Sequence, residues 1–185
     1  MQVAAVVLAA GASSRFGSPK QLARIGERTM LETVTTTAHE AGLDPVIAVV
    51  PPGMAVPPNV VPEINPAPNL GLSHSLRLGL AAVPLEIGGA AILLGDQPSL
   101  RAITIKLLLE VAAPERPVIA AFANGRIGPP VLLSREAFGL AEEARGDEGL
   151  RTILARHPEL VTAVDVGEHV PDVDTPADLE RLGDG

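Results

Sequence analysis

The chain has 185 residues, 46% hydrophobic but only 2% aromatic, with no Trp, Tyr or Cys. That length suits one domain, residues 1–185, with a core of Val, Leu, Ile and Ala; the missing cysteines exclude disulfides, Cys-based zinc sites and thiol nucleophiles. A net charge of −8 argues against a nucleic-acid or anionic-membrane partner.

Val3–Leu8 is an unbroken apolar run with three valines, the pattern of a strand buried on both faces. It runs straight into a loop of Gly11, Ala12, Ser13, Ser14, Arg15, Gly17 and Ser18, with Lys20 behind it. Glycines let such a backbone turn tightly and approach a ligand closely. Successive N–H groups then form an anion-binding concavity, to which serine hydroxyls add donors and Arg15 and Lys20 add charge for phosphate oxygens. The stretch predicts a nucleoside-triphosphate loop. It is not a P-loop, because Gly17 comes one residue late and Ser18 follows it. Nor is it a dinucleotide fingerprint, because Ser13 stands where the second glycine belongs. Lysine is otherwise confined to Lys106, and residues 1–30 carry a net charge of +3 on an acidic chain. A small cationic site for a small phosphorylated ligand is expected. Residues 2–12 have the look of a signal-peptide core, but no basic segment precedes them and the run is too short to span a bilayer. Later apolar stretches are broken by charge, Gly or Pro, so a soluble, cytoplasmic protein is expected.

Further along, Gln21–Gly26 reads as a connector. Thr29 with Glu32 forms a capping box that opens a helix to about Ala41, closed by Gly42. Pro45–Val50 reads as a second buried strand, Pro51–Pro58 as irregular, and Val60–Ile64 as a short strand. Asn65–Gly71 is a loop, and a helix begins near Ser73 and runs through Leu76, Leu80 and Val83. Ala90–Leu94 is an all-apolar strand ending at Gly95-Asp96-Gln97-Pro98. Ala102–Ala113 is helical, Pro117–Phe122 a strand, and Asn124-Gly125 a turn from which Val131–Leu133 returns. Glu136–Ala144 and Gly149–His157 read as helices, Leu160–Val166 as a late strand and Ala177–Leu182 as a final helix. Alternating strands and helices predict a single three-layer, Rossmann-like α/β domain: a mainly parallel sheet with helices on both faces. Ligands of such sheets bind beyond the carboxyl ends of the strands, where the first loop, the Gly95–Pro98 loop and the Asp172–Asp174 loop would meet.

Asp96 follows its apolar strand directly and therefore sits at a carboxyl end. A triphosphate calls for Mg²⁺, which takes one or two carboxylates with phosphates and water, though Gly-Asp-x-Pro is also ordinary turn chemistry. Asp174 has two readings: a second metal ligand, or, with Asp172 and Thr175, a cap on the last helix. Ser73 and Ser75 are either helix caps or nucleotide contacts, and Asp147 either starts a helix or meets a substrate. Arg77 reads as a solvated face, and the four histidines show no ligand spacing.

The run Leu8-Ala-Ala-Gly-Ala-Ser-Ser-Arg-Phe-Gly-Ser-Pro-Lys20 resembles the L-A-x-G-x-S-x-R-x-G-x-x-K signature of MobA-like nucleotidyltransferases. The resemblance continues at Gly71-Leu-Ser-His-Ser-Leu76, Leu94-Gly-Asp-Gln-Pro98, Gly128-Pro-Pro-Val131, Gly146-Asp-Glu-Gly149 and Asp172-Val-Asp-Thr-Pro176. It implies the nucleotide-diphospho-sugar transferase fold. Within the family the chain is most similar to molybdenum cofactor cytidylyltransferases, which join CMP to molybdopterin cofactor and release diphosphate; Ala10 is the cue for that branch. Phe16 replaces the usual methionine, and Pro129 stands where the branch often has histidine.

The resemblance implies CTP as substrate and Mg²⁺, with Mn²⁺ as an alternative metal, and in-line attack by an acceptor phosphate oxygen on the α-phosphorus. In this scheme Arg15, Lys20 and Asp96 are catalytic, and the Gly11–Gly17 amides hold the triphosphate. Asp96 and Asp174 hold the metal. The base lies against Leu8, Ala9, Ala10 and Pro51, with Gly71, Ser73 and Ser75 close to base and ribose. Gly128, Pro129, Pro130 and Asp147 face the acceptor, and a molybdoenzyme or its chaperone would receive the product. Two alternatives are open. One is the same chemistry on a sugar or alcohol phosphate, or guanylyl transfer to molybdenum cofactor. The other is a non-catalytic nucleotide-binding or assembly protein on the same fold.

Overall fold

The structure, a computed structural model, describes residues 2–11, 16 and 19–183. Its main sheet holds seven strands: β1 (Val3–Leu8), β4 (Val46–Val50), β5 (Val61–Ile64), β6 (Gly89–Leu94), β7 (Val118–Ala123), β8 (Arg126–Ser134) and β9 (Val161–Asp165). The spatial order is β5-β4-β1-β6-β8-β7-β9. Neighbours are parallel except at β8, which runs against both β6 and β7.

Strand alternation divides the core in two. Val6, Leu8, Ile47, Val49 and Ile92 point to one face, where α2 (Leu72–Ala81), α4 (Leu150–Leu154) and the 3₁₀ stretch Arg135–Glu143 cover them. Val3, Ala5, Val7, Ala48 and Leu93 point to the other, under α1 (Met30–Glu40) and α3 (Ala102–Glu110). Helices on both faces explain why β1, β4 and β6 are apolar at successive positions rather than alternating with polar residues. The terminal helix α5 (Pro176–Gly183) follows β9.

Several expectations hold at residue level. Thr29 caps α1, its side chain accepting from the Glu32 N–H while Glu32 accepts from the Thr29 N–H. Asn124 and Gly125 both take positive φ, 51° and 75°, as a tight hairpin turn demands. Other elements differ. The connector Gln21–Gly26 contains a 3₁₀ turn at Lys20–Leu22, then β2 (Arg24–Ile25), which pairs with β3 (Arg28–Thr29) in a two-stranded hairpin. The return strand is nine residues long, starting at Arg126. Against β7 its register jumps from Val131 opposite Ala120 to Gly128 opposite Ala121, so Pro129 and Pro130 bulge out of the ladder. Prolines have no N–H to donate to a ladder. Arg135–Glu143 is 3₁₀ rather than α, with Gly139 at its middle, where an α-helix would be weakest. α2 and α3 stop short of Val83 and Ala113, each of which precedes a proline and is thereby turned away from helical geometry.

Among the described residues no helix is long and apolar enough to cross a membrane. Because β1 and β6 are parallel, their carboxyl ends open on one rim. Antiparallel β8 reaches the same rim with its beginning, which is why Gly128 and Pro129 arrive there.

Candidate active site

Gly11 follows β1 and Asp96 follows β6 on this rim; Lys20 opens the 3₁₀ turn beyond the first loop. Lys20 is 8% exposed, and its Nζ lies 2.7 Å from Asp96 Oδ2 and 2.8 Å from Asp174 Oδ1. Burial works to lower the Lys20 pKa, but the hydrogen bonds and charges of Asp174 and Asp96 outweigh it and hold the ammonium above its ordinary range.

Asp174 arrives from 154 positions away on residues 166–175, which cross the rim from β9. The crossing is tied down at each step. The Val166 N–H donates to Phe122 O, and the His169 ring nitrogen meets Arg126 O at 3.1 Å. Gln97 Nε2 donates to Val170 O and to Asp172 Oδ1, and the Val173 N–H donates to Asp96 O. Asp174 does not cap α5. That role belongs to Thr175, whose Oγ1 accepts the Asp178 N–H while Asp178 Oδ2 accepts the Thr175 N–H. The Thr175 hydroxyl, which donates to Asp178 Oδ2, and then the Thr175 N–H hold the Asp178 carboxyl below its usual range.

Asp172, two residues earlier, is exposed but lines the same cavity as Lys20, Asp96 and Asp174, and its carboxyl is within electrostatic reach of Asp96 and Lys20. Burial first, then the Asp96 charge, holds it above the usual carboxylate range, and the Gln97 hydrogen bond offsets this only in part. The sequence reading missed Asp172 and Gln97 as site residues. The available signal was the Asp-x-Asp spacing and the glutamine directly after Asp96.

Two adjoining cavities open on the rim. The first, about 550 Å³, is lined by Lys20, Asp96 and Asp174 together with Asn69, Gly71 and Ser75. The second, about 480 Å³, has an apolar floor including Leu76, Ile92, Val131 and Leu150, and polar walls from Arg126, Arg151 and His169. Leu8, Leu72, Leu94, Asp147 and Asp172 belong to both. At the first cavity Gly71, with a φ of +88°, packs its α-carbon against the Gly146 backbone; a Cβ there would lie 2.3 Å from the Gly146 carbonyl carbon. The Ser73 N–H donates to Gly146 O and Arg77 Nη1 donates to Ala144 O, so Arg77 anchors this turn instead of facing solvent.

Of the residues singled out in the sequence, Leu8, Ala10, Gly11, Lys20, Gly71, Ser75, Asp96, Asp147 and Asp174 line the first cavity. Gly128, Pro129 and Asp147 line the second. Ala12, Ser13, Ser14, Arg15 and Gly17 lie outside the described residues. Four others line neither cavity. Ala9 and Ser73 are 1% exposed, inside the packing between strands and helix. Pro51 continues β4 into its own turn, accepting the Met54 N–H, and Pro130 is buried in the β8 bulge. The helix-cap reading of Ser73 and Ser75 also gives way, because Gly71 is the N-cap of α2. Of the four cations expected near the site, Arg15 lies outside the described residues, Lys20 pairs with Asp96 and Asp174, and Arg24 and Arg28 stand exposed on the β2–β3 hairpin.

Magnesium completes its shell with one or two carboxylates, phosphate oxygens and water. Asp96 and Asp174 meet that need, and the Lys20 ammonium between them marks where positive charge is favoured. Among the described residues no three His, Cys, Asp or Glu side chains are grouped to hold an ion by protein alone. The donor set therefore fits an ion that arrives with a phosphate ligand.

The model of the MobA-like NTP transferase domain matches residues 5–161, so Asp172 and Asp174 lie beyond the match. Rv0371c of Mycobacterium tuberculosis H37Rv superposes with a TM-score of 0.84 at 31% identity, covering 100% of this chain and 98% of that one. Its complex with manganese superposes at 0.80 and 29%, covering 100% and 99%. Bifunctional protein GlmU of Hyphomonas neptunium is 33% identical over 115 residues, 57% of this chain and 25% of GlmU. This chain thus spans about a quarter of the length of the curated relatives it matches. CMP:2-keto-3-deoxy-manno-octonic acid synthetase complexed with CTP shares the fold, with a TM-score of 0.78 at 17% identity over 100% and 98% of the chains.

Proposed function

The chain belongs to the MobA-like NTP transferase family, and from that premise we propose that it moves CMP from CTP to the phosphate of a molybdopterin-type molybdenum cofactor, releasing diphosphate. One observation carries the reading. An ionic cluster of Lys20, Asp96 and Asp174 lines a cavity that shares Leu8, Leu72, Leu94, Asp147 and Asp172 with a second, apolar-floored cavity. A nucleotide in the first and an acceptor in the second would meet across Asp147 and Asp172. The second cavity supports an acceptor with an apolar body and an anionic group: its leucine, isoleucine and valine floor suits a ring face, and Arg126 and Arg151 offer charge. The neighbour complexed with CTP supports cytidine as the nucleoside.

In-line phosphoryl chemistry leaves the protein little covalent work, so positioning and charge neutralisation dominate. Lys20 binds the triphosphate and then the departing diphosphate through its ammonium. Asp96 and Asp174 hold a divalent metal, magnesium or manganese, which supplies charge neutralisation at the phosphates. Asp96 is fixed by its backbone, whose carbonyl accepts the Val173 N–H. Apolar side chains at the cavity floor exclude water that would otherwise compete with the acceptor. The released cofactor nucleotide would pass to a molybdoenzyme or its chaperone in the cytoplasm.

The test is diphosphate release from CTP, GTP, ATP and UTP, each with molybdenum cofactor, a sugar phosphate or an alcohol phosphate, in magnesium or manganese. CTP with molybdenum cofactor is expected to give the fastest release. Release only with a sugar or alcohol phosphate, or only from GTP, overturns the acceptor or the base. Tight CTP binding with no release from any acceptor overturns catalysis.

A further inference from the structure

Asn65 follows β5 and is 0% exposed. Its Oδ1 accepts the Ala67 N–H at 2.9 Å, and its Nδ2 donates to Ser75 Oγ at 2.9 Å. A backbone N–H can only donate, so the amide atom facing Ala67 has to be oxygen and the one facing Ser75 has to be –NH₂. The amide thus has a single orientation. Ser75 Oγ must receive a hydrogen from Asn65, and its own proton is directed elsewhere. A serine inside a helix ordinarily returns that proton to a carbonyl one turn back. Among the described residues no hydrogen bond from the Ser75 hydroxyl does so. Ser75 is 4% exposed and lines the first cavity, as do Asn69, Gly71 and Lys20.

We propose that Asn65 is a positioning residue that makes Ser75 an obligate hydrogen-bond donor to the nucleoside. The site then selects a nucleoside carrying an acceptor oxygen at that point, either a ring carbonyl of the base or a ribose hydroxyl. The inference rests on the nucleotidyltransferase reading of the first cavity. Asn65 itself touches no substrate. It acts by fixing which way a hydroxyl points, and an aspartate at 65 would still accept from Ala67 while turning Ser75 from donor into acceptor.

Equilibrium binding of magnesium CTP, 2-thio-CTP, 2′-deoxy-CTP and 3′-deoxy-CTP, alongside steady-state kinetics, tests it. Ser75→Ala is expected to weaken CTP binding about two- to tenfold, the range for one net hydrogen bond, with KM rising and kcat little changed. Ser75→Thr is expected to restore it. The analogue that wild type binds more weakly, but Ser75→Ala does not, identifies the accepting oxygen: the thio analogue for the base, a deoxy analogue for ribose. Asn65→Asp is expected to lower CTP affinity at least as much as Ser75→Ala and to add nothing in the Ser75→Ala background. Should Asn65→Asp not fold, the analogue series on Ser75→Ala decides alone. Unchanged CTP affinity in Ser75→Ala, or fully additive losses in the double variant, overturns the inference and leaves the function standing. A wild-type protein that binds no nucleotide overturns both.

Discussion

Lys20 holds two carboxylates at 2.7 and 2.8 Å while 8% exposed. Its replacement by Met, or Asp96→Asn, is expected to lower turnover about 10²–10³-fold, the range for one preorganised charge-stabilising contact. Circular dichroism of each variant should match wild type, and near-normal rates in either would dismiss the assignment. Asp172 gives a test of opposite character. Its folded pKa is raised, so the fold binds that proton more tightly than the unfolded chain does. The fold is therefore favoured while the carboxyl is protonated, and that advantage is lost as pH climbs from the unfolded value, about 3.9, through the folded one. Asp172→Asn stays neutral and can still accept from Gln97. In urea titrations it should be more stable than wild type at pH 7, with the difference closing below about pH 4. A constant difference across that range would mean the burial and charge around Asp172 have been misjudged. The sequence carried Lys20 and Asp96 plainly, because each directly follows an unmistakable feature. Asp172 was signalled only by its Asp-x-Asp spacing, and Asn65 was not legible, since its partners are brought to it by the fold.

At the scale of elements, α2 lies so close on β1 and β4 that position 79 has no room for a side chain. A Cβ on Gly79 would stand 2.3 Å from Val6 Cγ1 and 2.9 Å from Val49 Cγ2. Both valines are fully buried and β-branched, so neither can move aside easily. Gly79→Ala gains about 1 kcal/mol of helix propensity but forces overpacking worth about 1–3 kcal/mol. A net fall in the denaturation midpoint is expected; a rise would show that α2 can lift off the sheet cheaply. Local elements were legible in advance. The Thr29–Glu32 capping box and the Asn124-Gly125 turn depend on residues a few positions apart, and both formed as read. The β2–β3 hairpin and the start of β8 were not. Two-residue strands carry no periodicity, and a strand containing Pro129-Pro130 looks like a break until β6 and β7 supply its partners.

For the whole molecule, the site is assembled by order rather than by proximity in the chain. β1 and β6 are central and parallel, β8 runs against them, and residues 166–175 cross the rim to bring Asp174 to Lys20. Ligand binding should therefore stabilise the entire domain. Magnesium CTP at a hundred times its Kd is expected to add about 2.7 kcal/mol, or roughly 5–11 °C in Tm for a domain of this size. Asp174→Asn should lose most of that shift in differential scanning fluorimetry while unfolding near the wild-type temperature without ligand. An undiminished shift would remove Asp174 from the metal site.

From its own residues the chain determined the strands with no polar position and the helix opened by a capping box. These are legible because burial on both faces and capping leave a mark at fixed short spacing. Only the tertiary structure decided that Asp174 meets Lys20 while Thr175 caps the helix, that the pocket among the described residues is acidic, and that Asn65 donates to Ser75. The physical reason is that a charge or a hydroxyl takes its role from whatever packs against it, and here those neighbours come from distant parts of the chain.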